Sequence, residues 1–198
     1  AQTGAMANNN AYYGLPLPLG AAYGGPLFFA HYSFLGIDPN NLNDAYANYF
    51  TQNKNHTLIN YNHCVNNPNG NFGYSNLCWG LTASDIENDY TASSPTNDRG
   101  FIAPTAALSS FPYTPAESMN ALKFFYYKLG DKIWGNYGFV DAFSLKSPWF
   151  ATSTLAIDQG PIIVMIENYR TGLLWNLFTS APEVKAGMRN LGFTAPYL

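Results

Sequence analysis

Residues 114–130 read TPAESMNALKFFYYKLG, and this stretch contains the clearest helix start in the chain. Thr114 and Glu117 have the spacing of a capping box, in which the two side chains satisfy the first free backbone N–H groups of a helix. Pro115 takes the first helical position, where its missing N–H costs nothing. The apolar residues that follow recur every three or four positions. The stretch therefore predicts an amphipathic helix that ends near Gly130.

The same kind of pattern predicts five further helices. They cover residues 26–36, 42–64, 104–111, 161–178 and 182–191, and most of them begin at Pro or end near Gly. The helix from Pro161 is apolar on nearly all sides, which is typical of a buried helix. Residues before 26 are predicted to be extended and turn-rich, and residues 66–102 and 131–153 are predicted to be long irregular loops.

Apolar helices and more amphipathic helices alternate along the chain. Alternating buried and half-buried antiparallel helices are what an α/α toroid requires, because its inner helices are covered on both sides. The sequence therefore predicts an all-α fold of the (α/α)6 toroid type, with about three of the six helix pairs, in a single region covering residues 1–198. In that architecture the long loops meet at one end and line a central cleft.

The composition excludes several classes of function. Only 11% of the residues are charged, against about 25% in an average soluble domain, and the net charge is −3. The chain lacks the basic excess of nucleic-acid-binding proteins. Its longest apolar run, residues 161–166, is far shorter than the roughly 20 residues that cross a bilayer. We therefore expect no nucleic-acid partner and no membrane partner.

Metal and cofactor chemistry has little support in the sequence. Cys64 and Cys78 are too few for a zinc site or a disulfide framework, and either one bridge or two buried thiols would fit them equally well. No glycine-rich phosphate loop, nucleophile elbow or paired-histidine motif is present. We expect neither a metal ion nor a cofactor.

Carboxylates and tryptophans concentrate in the two long loops. Of twelve acidic residues, seven fall there or at the loop ends: Asp85, Glu87, Asp89, Asp98, Asp131, Asp141 and Asp158. Aromatic faces stack on sugar rings, and glycosidic cleavage uses one protonated carboxyl group and one ionised partner. The two loops therefore predict a site for a neutral, polyhydroxylated substrate.

Each candidate carboxylate also has a structural interpretation. Asp141 lies in an apolar surround, where a carboxylate is costly unless it is hydrogen-bonded or functional, and this favours a role in the site. Asp85 fits a helix cap or a site residue equally well. Asp158, followed by Gln159, precedes a predicted helix start, so the sequence favours a cap for it.

The charged, histidine and tryptophan candidates also have structural interpretations. Glu167 and Arg170 are three residues apart on a predicted buried helix, which favours an internal ion pair. His31 is more typical of a satisfied core histidine than of an acid or base. Trp79 and Trp149 are equally consistent with sugar platforms and with loop anchors.

Several runs of sequence together resemble one bacterial family. They are 14–20 GLPLPLG, 23–29 YGGPLFF, 78–85 CWGLTASD, 102–107 IAPTAA, 137–143 YGFVDAF, 156–161 AIDQGP and 167–172 ENYRTG. They are similar to the "putative glucoamylase" family, and the resemblance covers nearly the whole chain. It implies an (α/α)6 toroid, a secreted or periplasmic location, and an activity like that of the family's inverting, endo-acting β-1,2-glucanases.

The resemblance also implies a function, and Asp85, Asp141 and Asp158 lie in the matching runs. The family domain is roughly twice as long, so the chain resembles its C-terminal half and the missing N-terminal half is an expected partner. We expect a glycoside hydrolase that cleaves β-1,2-linked β-glucan and binds an oligo- or polysaccharide. A glucan-binding module without turnover and a β-1,2-glucan transglycosylase are the alternatives. The expected catalytic pair is Asp85 and Asp141, and the expected substrate-binding residues are His31, Trp79, Thr82, Ser84, Asp98, Trp149, Asp158, Gln159, Glu167 and Arg170.

Overall fold

The fold mixes helices with short antiparallel hairpins. The computed structural model describes residues 6–198, so residues 1–5 of the predicted single region lie outside the described part. The chain is 42% helical and 18% strand, and its strands form four small antiparallel sheets. The all-α toroid expectation is therefore wrong. Strands of two to six residues are too short to show a clear alternation of apolar and polar residues. The sequence therefore predicted irregular or extended chain where the structure has hairpins.

The elements follow one another in a simple order. The strands are β1 (Ala7–Tyr12), β2 (Leu15–Leu19), β3 (Ala83–Ile86), β4 (Asp89–Ala92), β5 (Trp134–Gly135), β6 (Gly138–Phe139), β7 (Phe143–Ser144) and β8 (Trp149–Phe150). The helices are α1 (Tyr49–Asn66), α2 (Pro104–Leu108), α3 (Pro115–Ile133), α4 (Ala156–Thr171), α5 (Leu173–Ser180) and α6 (Pro182–Asn190). Each strand pairs with its neighbour in the chain, which gives four two-stranded hairpins.

Three predicted helices are confirmed at their starts. α2, α3 and α6 all begin at the predicted proline, and each carries it in the first turn. α3 extends beyond Gly130 to Ile133. The predicted capping box does not form: the Thr114 hydroxyl donates to the Ser110 carbonyl and accepts no backbone N–H of the helix.

The other helices have different bounds from those predicted. Residues 26–36 contain only two 3₁₀ turns, Leu27–Ala30 and Tyr32–Phe34. α1 begins later than predicted because the Asn48 side chain accepts the Thr51 N–H at 2.9 Å and caps it there. The predicted helix from Pro161 is two helices, α4 and α5, separated at Gly172, whose left-handed backbone (φ 69°) ends α4.

One main core holds the hairpins and helices together. Trp79, Phe125, Phe143 and Met165 are fully buried in it, so the chain between β3 and β8 shares one interior with α2, α3 and α4. A smaller cluster around Phe34, Leu42 and Met188 packs the C-terminal segment against the 3₁₀ turns. The core fixes the two long loops relative to each other.

The two cysteines are free and buried. Burial raises the pKa of the Cys78 thiol to about 12, and burial also raises the pKa of the Cys64 thiol. Of the two alternatives left by the sequence, the structure has two buried thiols. Among residues 6–198, no helix is both long enough and apolar enough to cross a membrane.

Candidate active site

The β3–β4 hairpin carries the first carboxylate. The segment before β3 is anchored by the Leu27 N–H, which donates to the Leu81 carbonyl at 3.1 Å, and by Thr82 Oγ1, which accepts the Phe28 N–H at 3.0 Å. Asp85 lies in β3 opposite Tyr90 of β4 and is half-buried. Asp85 is therefore a strand residue and does not cap a helix.

Asp141 lies between β6 and β7 and is joined directly to Asp85. The Asp85 N–H donates to Asp141 Oδ2 at 2.6 Å. The Asp141 N–H donates to the Ser153 carbonyl at 3.0 Å, and the Ser153 hydroxyl donates to the Asp85 carboxylate. These three residues form a closed network. A nearby pair of backbone hydrogen bonds, at 2.8 and 2.9 Å between Ile102 and Phe143, joins the same two loops.

Asp158 brings a third carboxyl group to the network. It lies in the first turn of α4, where Leu155 is the N-cap residue, so it does not serve as the predicted cap. Its carbonyl accepts the Thr105 hydroxyl of α2 at 3.0 Å. Its carboxyl group lies within hydrogen-bonding reach of that of Asp141, and Asp158 and Asp141 are only 3% and 1% exposed.

The Asp141–Asp158 pair holds a proton at neutral pH. Burial raises the pKa of Asp158 to about 8, and the hydrogen bond from Asp141 and the charges of Asp141 and Asp85 add to the rise. Burial and the Asp85 charge also raise the pKa of Asp141, against the opposing effect of its hydrogen bonds to Asp158 and Asp85. Asp141 Oδ1 and Asp158 Oδ2 receive no hydrogen bond from an N–H or hydroxyl group within residues 6–198. Ionising both carboxyl groups would place two negative charges side by side in a buried position, so the pair favours retaining a proton.

Two tyrosines border this carboxyl cluster. Burial, followed by the charge of Asp158, raises the pKa of Tyr32 to about 12 and also raises the pKa of the half-exposed Tyr90. Both phenols are therefore neutral and keep a proton to donate. The sequence interpretation missed them. Tyr90 could have been identified as a site residue from the sequence, because Asn88 favours a turn and a hairpin with that turn pairs Tyr90 with Asp85.

Asp98 lies in a separate network. Its side chain is fully buried and accepts hydrogen bonds from His63 Nε2 at 2.9 Å, the Tyr74 hydroxyl at 2.9 Å and Asn71 Nδ2 at 3.1 Å. Burial alone would raise its pKa, but these bonds and the Gly100 N–H outweigh burial and lower it. The contacts hold the first long loop against α1.

Two further candidates are buried away from solvent. Trp79 is fully buried, its indole N–H points towards the Glu117 carbonyl at 3.4 Å, and it leaves no face open to a sugar. His31 is 2% exposed, lies 2.9 Å from the Ser110 hydroxyl, and has a pKa lowered to about 3 by burial and by His56. Both placements fit the structural alternatives raised from the sequence.

The remaining candidates lie near the site or on the surface. Ser84 is buried beside Asp85, whereas Trp149 is half-buried in β8 and packs edge-to-face on Phe101 at 5.3 Å. Glu167 and Arg170 form a surface ion pair at 3.1 Å on α4, rather than an internal one. Gln159 follows Asp158 and donates to the Phe139 carbonyl at 2.8 Å. Within residues 6–198, no three His, Cys, Asp or Glu side chains form a group that could hold a metal ion.

Known proteins similar to this chain act on β-1,2-glucans or carry the name of one family. Residues 2–182 match the family described as "Putative glucoamylase". The exo β-1,2-glucooligosaccharide sophorohydrolase (non-reducing end) of Parabacteroides distasonis is 50% identical over 186 residues, which are 93% of this chain and 26% of that protein.

Two solved structures are similar to this chain in both sequence and fold. A putative glucoamylase from Bacteroides uniformis is 60% identical with a TM-score of 0.97, over 100% of this chain and 48% of its own. The endo-β-1,2-glucanase from Chitinophaga pinensis, in complex with sophorotriose and glucose, is 51% identical with a TM-score of 0.95, over 98% of this chain and 48% of its own. The chain spans about half the length of these solved relatives. Because the family match and the 50% identity extend over nearly all of the sequence, this chain belongs to the putative glucoamylase family.

Proposed function

We propose that the chain is part of a glycoside hydrolase that cleaves β-glucan, and that the preferred linkage is β-1,2. The observation that carries the proposal is the cluster of three carboxyl groups, in which Asp141 and Asp158 are buried and Asp85 is joined to Asp141 by its backbone N–H. Burial raises the pKa of Asp158 to about 8, which favours its protonated form at neutral pH. Glycosidic cleavage needs such a protonated carboxyl group to donate to the leaving oxygen. The β-1,2 linkage is supported by the names of the relatives from Parabacteroides distasonis and Chitinophaga pinensis.

In this proposal the general acid is the Asp141–Asp158 pair acting as one unit. The proton belongs to the pair as a whole, because burial raises the pKa of both carboxyl groups. When the proton passes to the glycosidic oxygen, the pair is left with two negative charges in a buried place, so it recovers a proton readily. The expected catalytic pair of Asp85 and Asp141 is thereby extended to include Asp158.

Asp85 is the proposed ionised partner that activates water. The Ser153 hydroxyl donates to its carboxylate and fixes its orientation. Asp141 and Asp158 are hydrogen-bonded to each other, so they are too close to stand on opposite sides of a sugar ring. An inverting reaction needs carboxyl groups about 6.5–9.5 Å apart. We propose this course, with the Asp141–Asp158 pair as the acid and Asp85 as the base.

A second region of the protein is also part of the proposal. Relatives of about twice this length share the chain's fold over half of their own length. α4 and α5 carry an apolar face on which Ile163, Leu173, Leu177 and Phe178 are 46–69% exposed. So much exposed apolar surface is typical of a face that another part of a protein covers. We propose that the second region packs on it.

The function is tested by incubating the full-length protein with linear β-1,2-, β-1,3- and β-1,4-glucans. We expect short oligosaccharides from the β-1,2-glucan only, and release of products of inverted anomeric configuration, measured by proton NMR at early times. Products longer than the substrate would instead indicate transglycosylation, and binding without turnover would indicate a binding module. The proposed secreted or periplasmic location is tested by cell fractionation.

A further inference from the structure

A neutral aromatic hairpin projects from the end of α3. Trp134 is 50% exposed and Tyr137, in the two-residue turn between β5 and β6, is 81% exposed. Asn136, beside Tyr137 in that turn, is also exposed. The hairpin itself carries no charged side chain, and the preceding Asp131 and Lys132 pair with each other at 3.2 Å.

Contacts with neighbouring rings hold Trp134 in place. Trp134 lies opposite Phe139 in the strand pair, and the two rings meet edge to face with centroids 4.8 Å apart. Tyr126 of α3 meets Trp134 edge to face at 5.3 Å. Phe139 is buried and continues into the main core through Phe125. Trp134 is therefore oriented by packing, although half of its surface is open to solvent.

The hairpin is tied to the carboxyl cluster from both sides. Gln159 Nε2 donates to the Phe139 carbonyl at 2.8 Å, and Gln159 is the residue after Asp158. Phe139 is also two residues before Asp141, a separation of at most about 7 Å along the chain. Gly138 allows the approach of Gln159, because a Cβ at position 138 would collide with Gln159 Oε1. The hairpin cannot move far without disturbing both acids.

We propose that the Trp134–Tyr137 hairpin is a subsite that binds a glucosyl unit of the substrate outside the cleaved bond. Aromatic faces pack against the apolar face of a pyranose ring, and the Asn136 amide can exchange hydrogen bonds with its hydroxyl groups. The absence of charge on the hairpin suits a neutral sugar better than an ionic ligand. This inference rests on the proposed function, because it takes the ligand to be the same glucan.

Binding of linear β-1,2-glucan to the full-length protein tests the subsite. By isothermal titration we expect Y137A to raise the Kd about 5- to 10-fold, as loss of one stacking contact predicts. Y46A is the matched control, because Tyr46 is also a solvent-exposed tyrosine in a turn (45% exposed) but lies outside the hairpin. In steady-state assays Y137A is expected to raise KM and leave kcat within twofold.

Tryptophan fluorescence supplies a second, independent measurement. Trp79 and Trp175 are at most 5% exposed, so a ligand that reaches the hairpin should change mainly the emission of Trp134, and the W149F variant accounts for any change at the half-buried Trp149. The change is expected to disappear in W134F. Equal Kd values for wild type, Y137A and W134F would overturn the subsite, while continued turnover by those variants would leave the hydrolase proposal standing. Absence of both binding and turnover in the wild-type protein would overturn both proposals.

Discussion

At the scale of single residues, the chemistry depends on where one proton resides. Asp158 is almost fully buried, is hydrogen-bonded to another carboxyl group and is repelled by a third. Each of these effects disfavours its ionised form. The result is a carboxylic acid that stays protonated at neutral pH. Such a group is costly to bury and useful as a proton donor.

Replacing Asp158 by Asn tests its role as the acid. An Asn side chain can still donate a hydrogen bond to Asp141 but has no proton to transfer, so we expect turnover of β-1,2-glucan to fall about 10²- to 10⁴-fold with the fold intact. The matched control is D131N, because Asp131 is 71% exposed and pairs only with Lys132. Wild-type turnover by D158N, with an unchanged circular dichroism spectrum, would remove Asp158 from the reaction.

The raised pKa also predicts how activity and stability depend on pH. Activity is expected to decline as pH rises through about 8, when the Asp141–Asp158 pair loses its proton. Between the ordinary pKa of Asp and about 8, the folded protein binds one more proton than the unfolded chain. Its free energy of unfolding should therefore decrease with pH by up to about 1.4 kcal/mol per unit from this group. Urea denaturation between pH 5 and 9 measures the slope, which should be smaller in D158N. An equal slope in both proteins would contradict the assignment.

At the scale of elements, two short hairpins and the first turn of α4 position the site. β3 carries Asp85, and the chain after β6 carries Asp141. Neither hairpin is long enough to be stable alone, because an isolated pair of short strands is marginal in water. Their positions depend on the hydrogen bonds between the two loops and on the shared core below them.

Substitution of Gly138 by Ala tests the connection between the β5–β6 hairpin and α4. Gly138 has φ near 100°, and an added Cβ would displace the Gln159 side chain that bonds to Phe139. We expect G138A to destabilise the protein by about 1–3 kcal/mol and to raise KM for β-1,2-glucan. The control is G135A on the paired strand, where the nearest atom to a new Cβ is 3.9 Å away. Thermal unfolding compares the G138A and G135A variants. Equal melting temperatures would show that the Gln159 contact contributes nothing to stability.

At the scale of the whole molecule, the apolar face of α4 and α5 is the largest feature that the fold leaves unexplained. Ile163 is 69% exposed and Leu177 is 61% exposed, although isolated apolar side chains on a surface need no partner. Here several lie together on adjacent helices. The second region present in the longer relatives is the partner that we propose for them.

Substitution of Ile163 by Asn tests that packing in a protein that carries both regions. Burial of an isoleucine side chain contributes about 2 kcal/mol, so I163N should lower the unfolding free energy of such a protein by about that amount. Leu191 is 76% exposed at the end of α6 and is not part of α4 or α5, so L191N serves as the control, with an expected effect below about 0.5 kcal/mol. Equal effects of the two substitutions in a thermal-shift assay would mean that the face stays open to water.

Parts of the fold and site could be predicted from the sequence because they depend on local chemistry. Proline at a first helical turn located α2, α3 and α6, and the crowding of carboxylates in the loops pointed to Asp85, Asp141 and Asp158. The contact between Asp141 and Asp158 depends on tertiary structure, so the titration of Asp158 could not be predicted and a helix cap was favoured. Trp79 has polar neighbours in sequence, but α3 and Tyr61 bury it.

The link from the Asp85 backbone N–H to Asp141 has a practical consequence for protein engineering. A main-chain donor survives any substitution of the side chain that shares its residue, except proline. The bond that fixes Asp141 in place therefore persists when the Asp85 side chain is replaced, as in D85N, which removes only the proposed base. The exposed hairpin residues Trp134, Asn136 and Tyr137 can be varied without touching that bond or the proposed base. We expect a library at these three positions to change which sugars are accepted while the acid keeps its position, which makes this hairpin a favourable starting point for new glycan specificities.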